Sequence, residues 1–416
     1  MVLDHREKRV HQMKSILKEQ QTSFGVSIKA NVPYPYKNHP YAYILIKHFY
    51  QMLNKNNQSF FDDGPDGPSF FVLMDEKDGT LLKESLIDIE SKHPLGRLID
   101  LDLVFDNYKQ LSRVSVKRPQ RICYLCDNLA HICVREQRHS KEEVFNHIET
   151  LFLNGFSDFI TQNIEYAMHS ELELEHKFGC VEKKHSGSHK DMNYDLMIQA
   201  KHAILPFFKK MFILGLVEQN QNLLIEKAKQ IGLEAEKNML IATHGINCYK
   251  GLIFVLGYVL IAFGQTLHQK KSYDDFFETI KTLSKNVLKD FSRPPKTFGE
   301  KAYQMYHFLG ARGEVYQGLP SIQRVLSKYQ PKTFHQQLRD VYMDLILLSE
   351  DSVLLKRAGS LKRYQDIKNE IKKIDRNDYG QIKAFDQQAI HEGLSFGGAA
   401  DLLVVAIFIN QLKGYF

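Results

Sequence analysis

Two aspartates one residue apart, Asp100 and Asp102 in "RLIDLDLVF", are the residues of this chain whose spacing most directly suggests chemistry. Side chains two positions apart on a strand share a face, so the pair presents two carboxylates together. Such oxygens hold Mg²⁺, and Mg²⁺ bridging phosphate oxygens neutralises the charge that builds up in nucleotidyl-type transfer. Arg97 precedes the pair and has the fork for bidentate phosphate contact, while Gly96 lets backbone approach a ligand. An alternating Asp pair on a solvated strand face looks the same, so the rest of the chain must decide.

A second constellation, "RICYLCDNLAHICVREQRH", sets Cys123, Cys126, Cys133 and His139 in a C-x2-C-x6-C-x5-H array. Three thiolates and an imidazole suit a closed tetrahedral Zn²⁺ site, in which the metal braces the fold rather than catalysing. The spacing matches no common zinc finger, and a set of reduced, partly buried cysteines beside a basic surface is the other open reading.

Four polar clusters follow: "KFGCVEKKHSGSHKDMNYD", "THGINCYKG", "KTFGEKAYQMYHFLGARGEVYQGLP", and "SEDSVLLKRAG" paired with "GGAADLL". Each sets Gly beside charged residues at an expected helix end, where backbone N–H groups favour phosphate. One alone would be a capped terminus; four argue for a convergent polar pocket. No Walker A sequence, no G-x-G-x-x-G after a strand and no G-x-S-x-G elbow occurs, which disfavours P-loop, Rossmann and α/β-hydrolase enzymes.

The elements that must position these residues fall into two regions. A length of 416 residues suggests two to three domains, and 43% hydrophobic with 25% charged residues is a globular composition. The net charge of +6 suits phosphorylated ligands and falls short of a nucleic-acid footprint. The charged start "MVLDHREKRVHQMKSIL" has no signal-peptide h-region, and "GLIFVLGYVLIAFG" is shorter than a membrane span, so a buried core helix, a cytoplasmic location, and neither a membrane nor a nucleic-acid partner are expected. Residues 1–140 mix helices, the strand-like "FGVSIKANV", a polar turn region "NKNNQSFFDDGPDGPS" and short apolar runs, an α+β pattern. Residues 141–416 carry apolar positions at three- and four-residue spacing and read as all-α.

The motifs "REKR", "HPLGRLIDLDL", "LSR" and "RICYLCDNLAHICVREQRH" resemble the holo-(acyl-carrier-protein) synthase of citrate lyase, the phosphoribosyl-dephospho-CoA transferase. "GSHKDM", "GINCYKG", "GARGEVYQGLP" and "GGAADLL" resemble triphosphoribosyl-dephospho-CoA synthase, and the order matches the fused form of the two over essentially the whole chain. The resemblance implies a transferase with nucleotidyltransferase-like chemistry in 1–140 and the synthase in 141–416. It implies ATP and 3′-dephospho-CoA as substrates, and the citrate lyase acyl carrier protein, its γ subunit, as partner. Asp100 and Asp102 would hold Mg²⁺ on the triphosphate, with Arg97, Arg6 and Arg9 as phosphate ligands and basic rim. Glu182, Asp191, Glu314, Asp351 and Asp401 would supply metal ligation or the general base, because loss of adenine builds positive charge at C1′. Lys177, His189, Lys250, Arg312 and Arg357 would meet phosphates.

Three motifs depart from the synthase pattern. "EHKFGCVE" stands for Thr-Pro-Lys-Pro-Gly-Leu-Val-Asp, "NCYKG" puts Cys248 and Tyr249 where the family has Thr-His, and "DSVLLKRAG" has Val353 in place of an amide. The alternative these departures raise is an active N-terminal transferase fused to a degenerate domain that only binds substrate or carrier.

Overall fold

The structure, a computed structural model, describes residues 2–20, 24–54, 57–75, 78–105 and 111–416. The chain forms two compact units, Met1–Asp158 with Tyr415, and Phe159–Gly414 with Phe416.

The first unit is built on a four-stranded antiparallel sheet in the order β2-β3-β1-β4, with β1 at Phe24–Ala30, β2 at Ser59–Gly64, β3 at Gly67–Met74 and β4 at Ile99–Phe105. Its helices are α1 (Val2–Glu19), α2 (Pro40–Leu53), α3 (Gly79–Lys92), α4 (Ala130–Glu136) and the start of α5 (Lys141–Glu173). Strand β4 alternates as its sequence demands: Ile99, Leu101, Leu103 and Phe105 are buried, while Asp100 and Asp102 point to the other face. Helix α1 repeats apolar residues at helical spacing and lays Met13, Ile16 and Leu17 on Phe71 and Leu73.

The polar stretch expected as a turn region holds β2 and the start of β3, joined by a two-residue turn at 65–66. Phe60 and Phe61 favour a strand, and pairing with β3 outweighs the flanking Asp and Gly. The break between units falls inside α5 rather than at its start, 140/141. The first turns of α5 belong with the sheet unit because Phe145 stacks on Tyr36, with ring centroids 4.0 Å apart, and Phe152 stacks on Tyr41 at 4.4 Å.

The second unit is helical: after the rest of α5 come α6 (Tyr194–Val217), α7 (Gln221–Ala242), α8 (Lys250–His268), α9 (Tyr273–Ser284), α10 (Phe298–Tyr306), α11 (Gly310–Tyr316), α12 (Pro320–Lys328), α13 (Pro331–Phe334), α14 (Leu338–Leu348), α15 (Ser352–Ala358), α16 (Leu361–Lys372), α17 (Tyr379–His391) and α18 (Gly397–Leu412). Helix α8 is the one helix among the described residues long and apolar enough to cross a membrane, and 78% of its apolar window is buried inside the protein. It packs against α6 at very short range. A Cβ on Gly215 would stand 2.3 Å from the Ile261 carbonyl oxygen, and one on Gly264 would stand 2.5 Å from the Leu216 nitrogen.

Candidate active sites

In the sheet unit, strand register builds a polar row across all four strands. Asp100 on β4 pairs with Lys29 on β1, Lys29 with Ser69 on β3, and Ser69 with Asp62 on β2. Cross-strand partners share a face, so these side chains lie on the face that α1 covers further along. Asp102, opposite Ser27, is the most open member, with its side chain 70% exposed and Lys83 Nζ 3.9 Å away.

Asp100 is not free: Arg121 pairs with it, and the same guanidinium donates to the Ile99 carbonyl at 2.9 Å and reaches Glu90 at 2.7 Å. Arg113 also pairs with Glu90, whose other carboxylate oxygen accepts from the Leu101 amide at 2.8 Å. Arg97 lies over the Tyr124 ring at 4.8 Å.

Arg9 does not form a rim. It is 3% exposed, donates to Asp66 at 3.0 Å, and touches Asp62 at 3.3 Å. Arg6, half exposed, also donates to Asp66 at 3.2 Å. Burial alone would raise the Asp66 carboxyl, but hydrogen bonding and charge from Arg9, then Lys29, bring it below its usual range. Lys29 and Lys37, both partly buried, are instead the basic groups of this face in no ion pair among the described residues. Desolvation lowers both, with Arg9 adding to it at Lys29 and Asp100 opposing it at Lys37.

The donor atoms of Cys123, Cys126, Cys133 and His139 all lie within 4.8 Å of one another. Cys126 Sγ is 3.5 Å from Cys133 Sγ and 3.3 Å from His139 Nε2. The Cys126 thiol is brought down to about 6, first by hydrogen bonding from Asn128 and then by His139 and Cys133.

In the helical unit all four polar clusters reach one cavity of about 310 Å³. The first supplies His189, the second Tyr249 and Lys250, the third Glu314, and the fourth Glu350 and Asp401, with Glu171 of α5 completing the wall. Asp401 is partly buried at the cavity wall, and desolvation, then the Glu171 and Asp351 charges, hold it well above the carboxylate range. Glu171 is itself paired with the buried Lys177 at 2.5 Å. Glu314 accepts from the Ser321 hydroxyl at 2.5 Å and is raised by desolvation. His189 is lowered by burial and then by Arg357, whose guanidinium is 3.3 Å from its Nδ1. The Tyr249 hydroxyl is buried and has no hydrogen-bond partner among the described residues.

Other expected residues stand outside this wall. Asp351 is spent on structure: it accepts from the Val353 and Leu354 amides at 2.8 and 3.0 Å and from Ala399 at 3.0 Å, tying α15 to α18. Glu182 belongs to a network with His185, at 2.7 Å, and Asp386. Asp191 is exposed, and Arg312 contacts Glu300 at 3.4 Å and the rings of Phe254 and Phe291. Glu171, Glu350, Lys29, Lys37 and Arg121 were missed because each sits in an ordinary charged stretch, and only tertiary contact singles it out.

Residues 1–154 match the family described as apo-citrate lyase phosphoribosyl-dephospho-CoA transferase. Residues 157–416 match the family described as ATP:dephospho-CoA triphosphoribosyl transferase. Protein CitXG of Haemophilus influenzae is 30% identical, with 83% of this chain and 80% of the relative aligned. Protein CitXG of Leuconostoc mesenteroides subsp. cremoris is 29% identical over 99% of this chain and 97% of its own. The 2-(5''-triphosphoribosyl)-3'-dephosphocoenzyme-A synthase of Haemophilus ducreyi is 30% identical over 69% of this chain and 99% of its own. Two units, each with its own acidic and basic site, thus make a fused transferase. The chain belongs to the family that joins these two transferases of the citrate lyase prosthetic group in one polypeptide.

Proposed function

We propose that the two units act in sequence. The helical unit joins ATP to 3′-dephospho-CoA: the 2′-hydroxyl oxygen bonds to C1′ of the ATP ribose, the bond from C1′ to adenine breaks, and the hydroxyl proton is released. The sheet unit then passes the product to the citrate lyase acyl carrier protein. A serine oxygen of the carrier bonds to the phosphorus nearest the ribose, the bond from that phosphorus to the bridging oxygen breaks, and pyrophosphate and the serine proton leave.

The observation that carries this reading is the convergence of four sequence-distant clusters on one cavity whose wall includes Asp401, where desolvation favours the protonated carboxyl. Asp401 in that state donates a proton to the departing adenine. Glu171, on the same wall, offers negative charge to the cationic C1′. His189 and Lys250 face the polyphosphate, and a bound substrate is the partner available to the Tyr249 hydroxyl.

In the sheet unit Asp100 and Asp102 present hard oxygen ligands on one face, which fits Mg²⁺. When bound, the ion supplies charge neutralisation on the triphosphate. Lys29, Lys37 and Arg97 orient the phosphates, and the acceptor brings its own hydroxyl. The Cys/His cluster fits a structural zinc ion and takes no part in the chemistry. The second reading, a helical unit that binds without turning over, is favoured by the neutral Cys248 thiol, raised to about 11 by burial and then Asp191, where the family has a hydroxyl.

The full-length Asp102→Asn protein separates the two. It keeps adenine release that depends on 3′-dephospho-CoA and loses carrier modification by about 10²-fold or more, the equivalent of several kcal/mol of lost charge stabilisation. Full carrier modification by that variant would remove the aspartate pair from the mechanism, and no adenine release would favour the second reading.

A further inference from the structure

The segment from Arg121 to His139 is folded without a core of its own. Among its side chains Cys133 alone is buried, while Ile122 and Val134 are 52% and 78% exposed. Backbone bonds give it a knuckle: the Cys123 amide donates to the Asn128 carbonyl at 2.7 Å, and the Ala130 amide donates to the Arg121 carbonyl at 2.8 Å. Helix α4 follows and stops at Gln137, whose φ of 51° turns the chain so that His139 comes back to Cys126. Segments this short and this exposed need a staple, and four soft ligands are brought together here.

All four donor atoms lie within 4.8 Å of one another, and the separations at Cys126 are close to those around one ion. A Zn–S bond of about 2.3 Å sets a tetrahedral edge of about 3.8 Å between sulfurs and slightly less from sulfur to imidazole nitrogen. Cys126 Sγ stands 3.5 Å from Cys133 Sγ and 3.3 Å from His139 Nε2.

Two side chains leave this knuckle for the transferase site. Arg121, two residues before Cys123, holds Asp100, Glu90 and the Ile99 carbonyl. Tyr124, inside the C-x2-C turn, donates to the Arg97 carbonyl at 2.7 Å, approaches the Asn31 carbonyl at 3.3 Å, and carries the Arg97 guanidinium on its ring. We propose that Cys123, Cys126, Cys133 and His139 bind one Zn²⁺, and that this zinc knuckle positions Asp100 and Arg97 through Arg121 and Tyr124. The inference rests on the reading of Asp100 and Arg97 as transferase residues, but its test does not use their activity.

Elemental analysis of the full-length protein yields about one zinc per chain, and Cys126→Ser yields almost none. Cobalt in place of zinc gives the thiolate charge-transfer and visible bands of a tetrahedral site. Removing the metal with a zinc-selective chelator speeds amide exchange at least tenfold in the knuckle and also in the peptide covering residues 93–101. Tyr124→Phe, which keeps the ligands and so the metal, reproduces part of the second change. Absence of zinc from the purified protein, or retention of zinc by Cys126→Ser, overturns the site. Unchanged exchange over 93–101 after the metal has gone overturns the positioning role. Carrier modification by the zinc-loaded protein reports separately on the functional reading.

Discussion

Asp401 carries the heaviest demand of any single residue. With no cation in contact among the described residues, desolvation favours the protonated Asp401 carboxyl, and the negative charges of Glu171 and Asp351 strengthen that preference. The protonated form is the acid, so adenine release persists well above the ordinary carboxylate pKa of 3.8 and declines as pH rises through the raised value. Asp401→Asn keeps the shape and removes the proton, and release falls by about 10²–10⁴-fold. A pH–rate profile of both proteins checks this: a wild-type rate that increases across the same alkaline range would exclude Asp401 as the acid.

At the scale of elements, α8 and α18 meet at Asp401, where a Cβ on Gly251 would stand 2.1 Å from its Oδ2. Gly251→Ala therefore displaces the carboxylate, and adenine release drops while thermal unfolding changes by no more than about 1–3 kcal/mol, the usual cost of overpacking. An unaltered rate would mean the carboxylate moves without consequence. In the sheet unit, α1 is tied to the β2–β3 turn by the buried pair of Arg9 and Asp66. Because the Asp66 carboxyl is depressed in the folded protein, its contribution is present above the unfolded value of 3.8 and is lost as pH falls through the folded one. Arg9→Met takes away the buried partner of Asp66 and leaves Arg6 at 3.2 Å and His5 at 3.3 Å, so the cost falls below the roughly 3–5 kcal/mol of a buried ion left alone. Denaturant titrations at neutral and acid pH show that difference at neutral pH and its shrinkage below 3.8; equal losses at both would remove the ion pair as the cause.

Over the whole molecule, what the sequence displayed was local: the alternation that puts Asp100 and Asp102 on one face, the Cys/His spacing, the helical periodicity after residue 141, and four glycine-flanked polar clusters that do meet at one cavity. What it hid depends on contacts between residues far apart in the chain. Arg9 looked like a free cation until the turn bearing Asp66 folded onto it, and Asp351 looked catalytic until the α18 amides claimed it. Glu171 is indistinguishable in sequence from Glu173 and Glu175, and only the cavity separates them. Lys29 gains its meaning from register, since it is β-pairing that sets it opposite Asp100.

On the proposed reading, having both sites on one polypeptide lets each molecule build the group and attach it. The most direct measurement supplies the purified full-length protein with ATP, Mg²⁺, 3′-dephospho-CoA and apo acyl carrier protein, and follows free adenine and carrier mass in the same reaction. Adenine is expected only with 3′-dephospho-CoA present, and the carrier is expected to gain one phosphoribosyl-dephospho-CoA. Carrier modification that requires preformed triphosphoribosyl-dephospho-CoA, with no adenine from ATP, would contradict the proposed reading.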